Sequence, residues 1–191
     1  MRSCNHPYKF PRQQALGFTL IEAMVSVAIL AVLAALAAPS FRTITERMKV
    51  STVTDEMSAA LTLARGTAIQ NNGNVTLRKL SAAEASLPTG SCNTTQNWSC
   101  GWRVFRDTNG DGGLDTGEEV VYAFTITSGV TVMRSDTGSG MTANRWGQLA
   151  GLNAVGFTIS PAATGVSSPA TTTLCVNSGG RIRLLEGEVE C

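Results

Sequence analysis

Histidine is almost missing from this sequence: the single one, His6, stands ahead of a long apolar run. Serine and cysteine nucleophiles in the body of the chain therefore lack their usual base, which excludes triad-type catalysis. Paired carboxylates occur only in turns or on a solvated helix face, so no enzyme activity is expected. No Cys-x-x-Cys pair and no Cys/His cluster of zinc spacing is present. Charge is scarce as well, at 15% of residues, with a formal net charge of +1. That balance exerts no global pull on nucleic acid, so any such contact has to rest on a local cluster. No internal repeat is evident.

What the chain does have is one uninterrupted apolar segment. From Phe18 to Ala38 there are 21 residues, and Glu22 alone among them is charged. A helix of that length crosses a hydrocarbon core of about 30 Å. Arg2, Lys9 and Arg12 precede it and favour a cytoplasmic N-terminus, with the segment as a single pass through the inner membrane. Ala37-Ala38-Pro39 is a poor site for secretory cleavage. A carboxylate at the depth of Glu22 costs on the order of 3 kcal/mol, so it calls for a partner and a purpose.

Gly17-Phe18-Thr19-Leu20-Ile21-Glu22 and the run behind it resemble the leader signal of type IV pilins and type II secretion pseudopilins. The resemblance implies a leader of residues 1–17, cut after Gly17 by prepilin peptidase, and methylation of the new N-terminus at Phe18. It also implies a transmembrane half-helix over 18–38. Within a filament, Glu22 would pair with the terminal amine of a neighbouring pilin. Proline at position 39 is likewise common in that family. The plain alternative is a single-pass anchor with an incidental glutamate.

Loss of the leader removes Arg2, Lys9 and Arg12, leaving 12 basic against 14 acidic residues and a net charge of −2. Cys4 goes with it, and Cys92, Cys100, Cys175 and Cys191 remain. An even count beyond a membrane segment suits an oxidising compartment and two disulfides, for which three pairings exist. Short loops favour Cys92–Cys100 and Cys175–Cys191, the latter worth roughly 3 kcal/mol, with free buried thiols as the alternative.

After Pro39, expected to kink the helix, an amphipathic pattern runs through Phe41, Ile44, Met48, Val53, Met57, Leu61, Ala64 and Ala68. The opposite face carries Arg42, Glu46, Arg47, Lys49, Asp55 and Glu56. Asn71-Asn72-Gly73-Asn74 ends a helix expected over 18–70, so that 39–74 form its amphipathic half. Residues 75–191 read as β: strands are expected at Val75–Leu80, Gly101–Arg106, Glu119–Thr127, Val130–Arg134, Ala154–Ser160, Thr171–Val176 and Arg181–Leu185. Stretches 135–140 and 161–173 read as surface loops. The fold class is α+β, one long N-terminal helix packed on antiparallel sheet.

The β half resembles the GspH/FimT family of minor pilins and pseudopilins. The resemblance rests on Trp102-Arg-Val-Phe-Arg-Asp-Thr-Asn-Gly-Asp-Gly112, Asp115-Thr-Gly-Glu-Glu-Val-Val121, Gly156-Phe-Thr-Ile-Ser-Pro161 and Cys175-Val-Asn-Ser-Gly-Gly-Arg-Ile-Arg183. The long leader and an acidic tail (Glu186, Glu188, Glu190) depart from the family pattern. Partners implied are other pilins through the N-terminal helix, prepilin peptidase, and the inner membrane before assembly into a pilus with a periplasmic or extracellular domain.

Two constellations remain. Asp107, Asn109, Asp111, Gly113, Asp115 and Glu118 match the spacing of a calcium loop. Strands rather than helices flank it, which favours a turn whose side chains bond their own backbone, and no metal. In Gly180-Arg181-Ile182-Arg183, the arginines of a strand share one face while Ile182 and Leu184 point into the core. Paired guanidiniums hold phosphate oxygens well. In FimT-like members the G-R-x-R motif is associated with DNA binding during natural transformation. The plain alternative pairs both arginines with Glu186, Glu188 or Glu190. Arg103, Arg106, Arg134 and Arg145 are further candidates. One rival function is a type II secretion pseudopilin or minor pilin that primes assembly without DNA. Another is an adhesive pilin whose loops at 86–100 and 135–150 present Trp98 and Trp146.

Replacing Gly17 by a bulky residue should leave the leader attached, whereas Glu22→Ala should be cleaved yet be incorporated poorly into filaments. Mass spectrometry of the mature N-terminus checks this; any start other than Phe18 refutes the cleavage site.

Overall fold

The computed structural model describes residues 18–88, 90–127, 129–149 and 154–191, and side chains at 36–40 lie outside that description. The leader 1–17, with Gly17, and the expected kink at Pro39 therefore lie outside the described residues. Helix α1 runs Leu20–Asn71. The chain divides into two compact units, Met1–Phe41 and Arg42–Cys191.

In the first unit α1 opens at Thr19. The Glu22 N–H donates to the Thr19 hydroxyl at 3.3 Å, and the Ala23 N–H to the Thr19 carbonyl at 3.2 Å. Thr19-x-x-Glu22 is thus the spacing of a capping box, and the carboxylate stands in the first turn, where the helix dipole favours it. Every side chain from Phe18 to Ala35 is exposed. Among the described residues, no helix is long and apolar enough to cross a membrane. The expected span 18–38 extends into residues whose side chains are not described.

In the second unit, α1 buries Val50, Val53, Met57, Ala60, Leu61, Ala64 and Ala68. The small residues at 60, 64 and 68 let the sheets come close to the helix axis. Ile44 and Met48, expected on the same buried face, are 54% and 66% exposed, and Phe41 of the first unit is 68% exposed. The helix ends as the asparagine run predicts: Asn72 takes φ +50°, its N–H reaches Ile69 O at 3.3 Å, and the Gly73 N–H reaches Ala68 O at 3.2 Å. That pair of bonds is a Schellman closure.

Among the described residues eight strands follow: β1 Val75–Lys79, β2 Trp102–Arg106, β3 Val120–Phe124, β4 Val130–Arg134, β5 Gly140–Ala143, β6 Ala154–Pro161, β7 Thr172–Asn177 and β8 Ile182–Glu186. They form two antiparallel sheets, ordered β3-β2-β1-β5 and β4-β6-β7-β8. Strand β5 was not expected. It begins where the 135–140 loop was expected to end, inside the 135–150 loop of the adhesive alternative, and it exists because Met141 and Ala143 bury their side chains while pairing with Leu77 and Val75. Leu61, Leu77, Trp98, Trp102, Phe157 and Leu174 belong to one core cluster shared by helix and both sheets.

Trp98, considered above as an exposed anchor, is fully buried. A bridge between Asn97 and Met133 folds its loop onto β4, and its ring meets Phe157 edge-on with centroids 5.1 Å apart. Lys79 holds the same loop, donating to the carbonyls of Cys92 (2.7 Å), Asn97 (2.9 Å) and Thr94. Cys92 and Cys100 are disulfide-bonded, as are Cys175 and Cys191.

Glu56, assigned above to a solvated face, accepts a hydrogen bond from the Tyr122 hydroxyl of β3. That bond, with some burial, raises the Tyr122 pKa to about 12. Tyr8 of the leader is the only other tyrosine, so phenolate absorbance of the processed protein reads Tyr122 alone. The raised value means the bond contributes stability below the ordinary tyrosine pKa and loses it as pH rises through about 12. An absorbance titration should place ionisation there, and Glu56→Gln should bring it back toward the ordinary value. A native titration at the ordinary value removes the bond.

Candidate nucleic-acid interface

The Gly180-Arg181-Ile182-Arg183 motif lies at the tight end of the β7–β8 hairpin. Asn177 builds the turn. Its side-chain Oδ1 accepts the Arg181 N–H at 2.9 Å, its carbonyl accepts the Gly180 N–H at 2.8 Å, and its own N–H reaches Arg181 O at 3.3 Å. Arg181 is therefore a turn residue rather than a strand residue, and β8 begins at Ile182. Arg183 sits opposite Cys175 on the edge strand. Both arginines are exposed. Ile182 packs against the core as expected, but Leu184 is 52% exposed. It lies beside Arg47, Val50, Thr54 and Glu186 in an open groove. The helix presents more polar than apolar groups there, so β8 is covered only in part.

Gly180 has a structural reason of its own. Its φ is +73°, and a Cβ there would stand 2.2 Å from the Arg65 guanidinium carbon. Arg65, which the sequence alone did not single out, reaches from α1 to three main-chain oxygens. Nε donates to Gly147 O at 2.8 Å, Nη1 to Gly180 O at 2.8 Å and Nη2 to Gly179 O at 2.9 Å. The Leu149 N–H also donates to Ser178 O at 2.9 Å. Together these bonds join the 177–181 turn to the 144–149 turn. The signal was present: a lone arginine on a helix face otherwise made of Leu61, Ala64 and Ala68.

The other arginines sort by their partners. Arg103 pairs with Glu84, and burial, then the neighbouring Arg78, lower its pKa. Arg106 pairs with Glu119 at 3.1 Å. Arg134, a candidate above, is 4% exposed. It is bound to Asp136 and to Gly140 O at 2.9 Å, over the Trp98 ring. Among the described residues, no carboxylate pairs with Arg65, Arg145, Arg181 or Arg183. The expected alternative, a pairing of the motif arginines with the tail glutamates, does not form. The tail instead folds back along the sheet. Gly187 O accepts from the Thr173 hydroxyl at 2.7 Å, the Val189 N–H donates to that hydroxyl at 3.3 Å, and Cys191 ends on Cys175.

The acidic loop bonds itself. Asp107, fully buried, accepts the Gly110 N–H at 2.7 Å, the Gly112 N–H at 3.0 Å and the Thr76 hydroxyl at 2.7 Å. Asn109 bridges Asp111 and Asp115 at 3.1 and 2.8 Å. Glu118 accepts the Thr108 N–H at 2.7 Å and the Asp115 N–H at 3.0 Å, and these two bonds lower its pKa. These bonds make the loop a turn whose side chains satisfy its own backbone. Among the described residues, no group of three His, Cys, Asp or Glu side chains is placed to hold a metal.

A long amino-terminal helix whose later half packs into antiparallel sheets is the architecture of a pilin-type subunit. Residues 53–185 match the family described as type II transport protein GspH, and residues 12–38 match the prokaryotic N-terminal methylation motif. The chain belongs to the GspH family. That family comprises pilin and pseudopilin subunits rather than enzymes, and the motif implies membrane anchoring and processing by prepilin peptidase. The crystal structure of the type IV minor pilin FimU of Pseudomonas aeruginosa is similar, with 18% identity and a TM-score of 0.54 over 74% of this chain and 92% of that one. The minor pseudopilin EpsH of the type 2 secretion system of Vibrio cholerae aligns with 12% identity and a TM-score of 0.47 over 72% of this chain and 97% of that one. Among curated proteins, no sequence matches the chain.

Arg65→Ala leaves three carbonyls without their donor and should lower stability by about 1–3 kcal/mol. Gly180→Ala adds a strained positive φ of about 1–2 kcal/mol to the displacement of Arg65. Urea denaturation of the single and double variants is the check. The double variant should lose less than the sum, because the clash needs Arg65; strict additivity contradicts the contact.

Proposed function

We propose that this GspH-family subunit is a minor pilin of the FimT-like kind, which takes hold of extracellular DNA for uptake in natural transformation. One observation carries the reading. Arg181 and Arg183 are both exposed on one hairpin and have no carboxylate partner among the described residues, whereas Arg103, Arg106 and Arg134 have one. Guanidiniums left free in a chain of slightly acidic net charge are available for phosphate oxygens. Contacts of this sort grip the backbone and read little sequence. Gly180 keeps the turn tight, and Arg65 fixes it to the helix. The folded-back tail, with Glu186, Glu188 and Glu190, opposes DNA and limits the affinity of one subunit, so capture draws on several subunits acting together. Assembly is the other half of the role, and the exposed apolar side chains of Phe18–Ala35, Ile44 and Met48 support it.

The test is a titration of residues 42–191, which contain the whole core cluster, with short duplexes of several sequences. Binding should be indifferent to sequence and steeply salt-dependent. Arg181→Gln/Arg183→Gln should flatten the slope of log affinity against log salt by about 1 per lost contact. Glu188→Gln should strengthen binding. Equal affinity of the native and doubly substituted proteins, with circular dichroism unchanged, returns the protein to a purely assembling role.

A further inference from the structure

We propose that Trp146, Arg145 and Arg181 form one site for single-stranded DNA, in which the indole stacks on a base and the two guanidiniums hold the flanking phosphates. The inference rests on the DNA-binding reading above and adds to it the strand form that this face accepts.

Three observations support it. Trp146 is 74% exposed, while Trp98 and Trp102 are fully buried. An indole left in water beside a well-filled core is a large apolar face that folding does not use. The turn that carries it is nonetheless rigid. Asn144 Oδ1 accepts the Trp146 N–H at 2.9 Å and the Gln148 N–H at 3.0 Å. Asn144 O accepts the Gly147 N–H at 2.8 Å, and the Asn144 N–H reaches Gln148 O at 2.9 Å. The ring is thus presented on a fixed backbone, so ordering costs little on binding.

Second, the turn is fastened to the arginine hairpin. Gly147, the residue after Trp146, and Gly180, the residue before Arg181, place their carbonyls on the same Arg65 guanidinium, each at 2.8 Å. A positive φ of +73° at both glycines allows this convergence. Third, the cations of the two turns and of the helix beneath them are not neutralised by ion pairs. Arg65, Arg145 and Arg181 have no carboxylate partner among the described residues.

An exposed aromatic ring beside unpaired cations is the arrangement that grips single strands: phosphates meet the cations, and bases stack in a sequence-tolerant way. A duplex keeps its base faces covered by neighbouring bases, so the Trp146 ring gains nothing from it. Arg181 serves both strand forms, and Trp146 serves one.

The experiment uses the full chain in detergent micelles and an oligothymidylate of sixteen residues, with the matching duplex as control. Because Trp98 and Trp102 are buried, fluorescence accessible to acrylamide reports on Trp146. The oligothymidylate should quench that fraction and shield it from acrylamide, and the duplex should do neither. Trp146→Ala should weaken single-strand binding about tenfold or more, with duplex binding changed less than twofold, and Trp146→Phe should keep most of the affinity. If Trp146→Ala binds the oligothymidylate as the native protein does, while Arg181→Gln/Arg183→Gln loses both forms, the stacking site is refuted and the DNA reading survives. If the native protein binds neither form, both fall together.

Discussion

A single guanidinium governs the β7–β8 turn and the neighbouring 144–149 turn of this domain. Arg65 enters from the last two turns of α1 and satisfies carbonyls of two turns that are far apart in sequence. Three short donor bonds to neutral oxygens compensate its desolvation without neutralising its charge. The glycines at 147 and 180 are consequences of the same contact, since their positive φ lets the two backbones converge on one planar fork. Lys79 repeats the device at another loop, where three carbonyls of residues 92–97 take the place of a carboxylate. Cations clasp loops here while the net charge stays low.

What was legible in the sequence follows the strength of local physical signals. The helix end at Asn71 was readable because an asparagine–glycine run tolerates left-handed backbone. Strands β1, β2, β4, β6 and β7 were readable because Val, Ile, Thr and aromatics concentrate there. Strand β5 was not: Gly140-Met-Thr-Ala143 is short and follows a Gly/Ser stretch, and only pairing with β1 makes it a strand. Leu184 was misplaced because period-two alternation specifies a side, while burial depends on what the helix puts opposite that side. Trp98 misled for the converse reason, since a loop of polar residues gave no hint that a bridge to β4 would carry its ring inward.

The candidate site divides in the same manner. The Gly-Arg-x-Arg string was visible, but the reason for its glycine lay in a side chain more than a hundred residues earlier, beyond any local pattern. The acidic loop shows the limit of a spacing motif. Calcium coordination and a self-bonded turn ask for the same Asp, Asn and Gly at nearly the same intervals, and only the direction of the N–H groups separates them. For the arginines, exposure was not readable at all, and partners such as Glu84, Glu119 and Asp136 decide which of them remain available.

The Arg65 clasp also has a mechanical meaning. Strand β8 is an edge strand, held on one side only, and a pull at its turn would ordinarily unzip it bond by bond from β7. Because Gly179 and Gly180 are fastened to the helix by a forked cation, tension at the turn bypasses the ladder and enters α1 directly. Two residues before Asn177 on β7, the Cys175–Cys191 bond keeps the returning tail from peeling away. A displacement of the turn is therefore opposed by the helix as well as by the strand pairing.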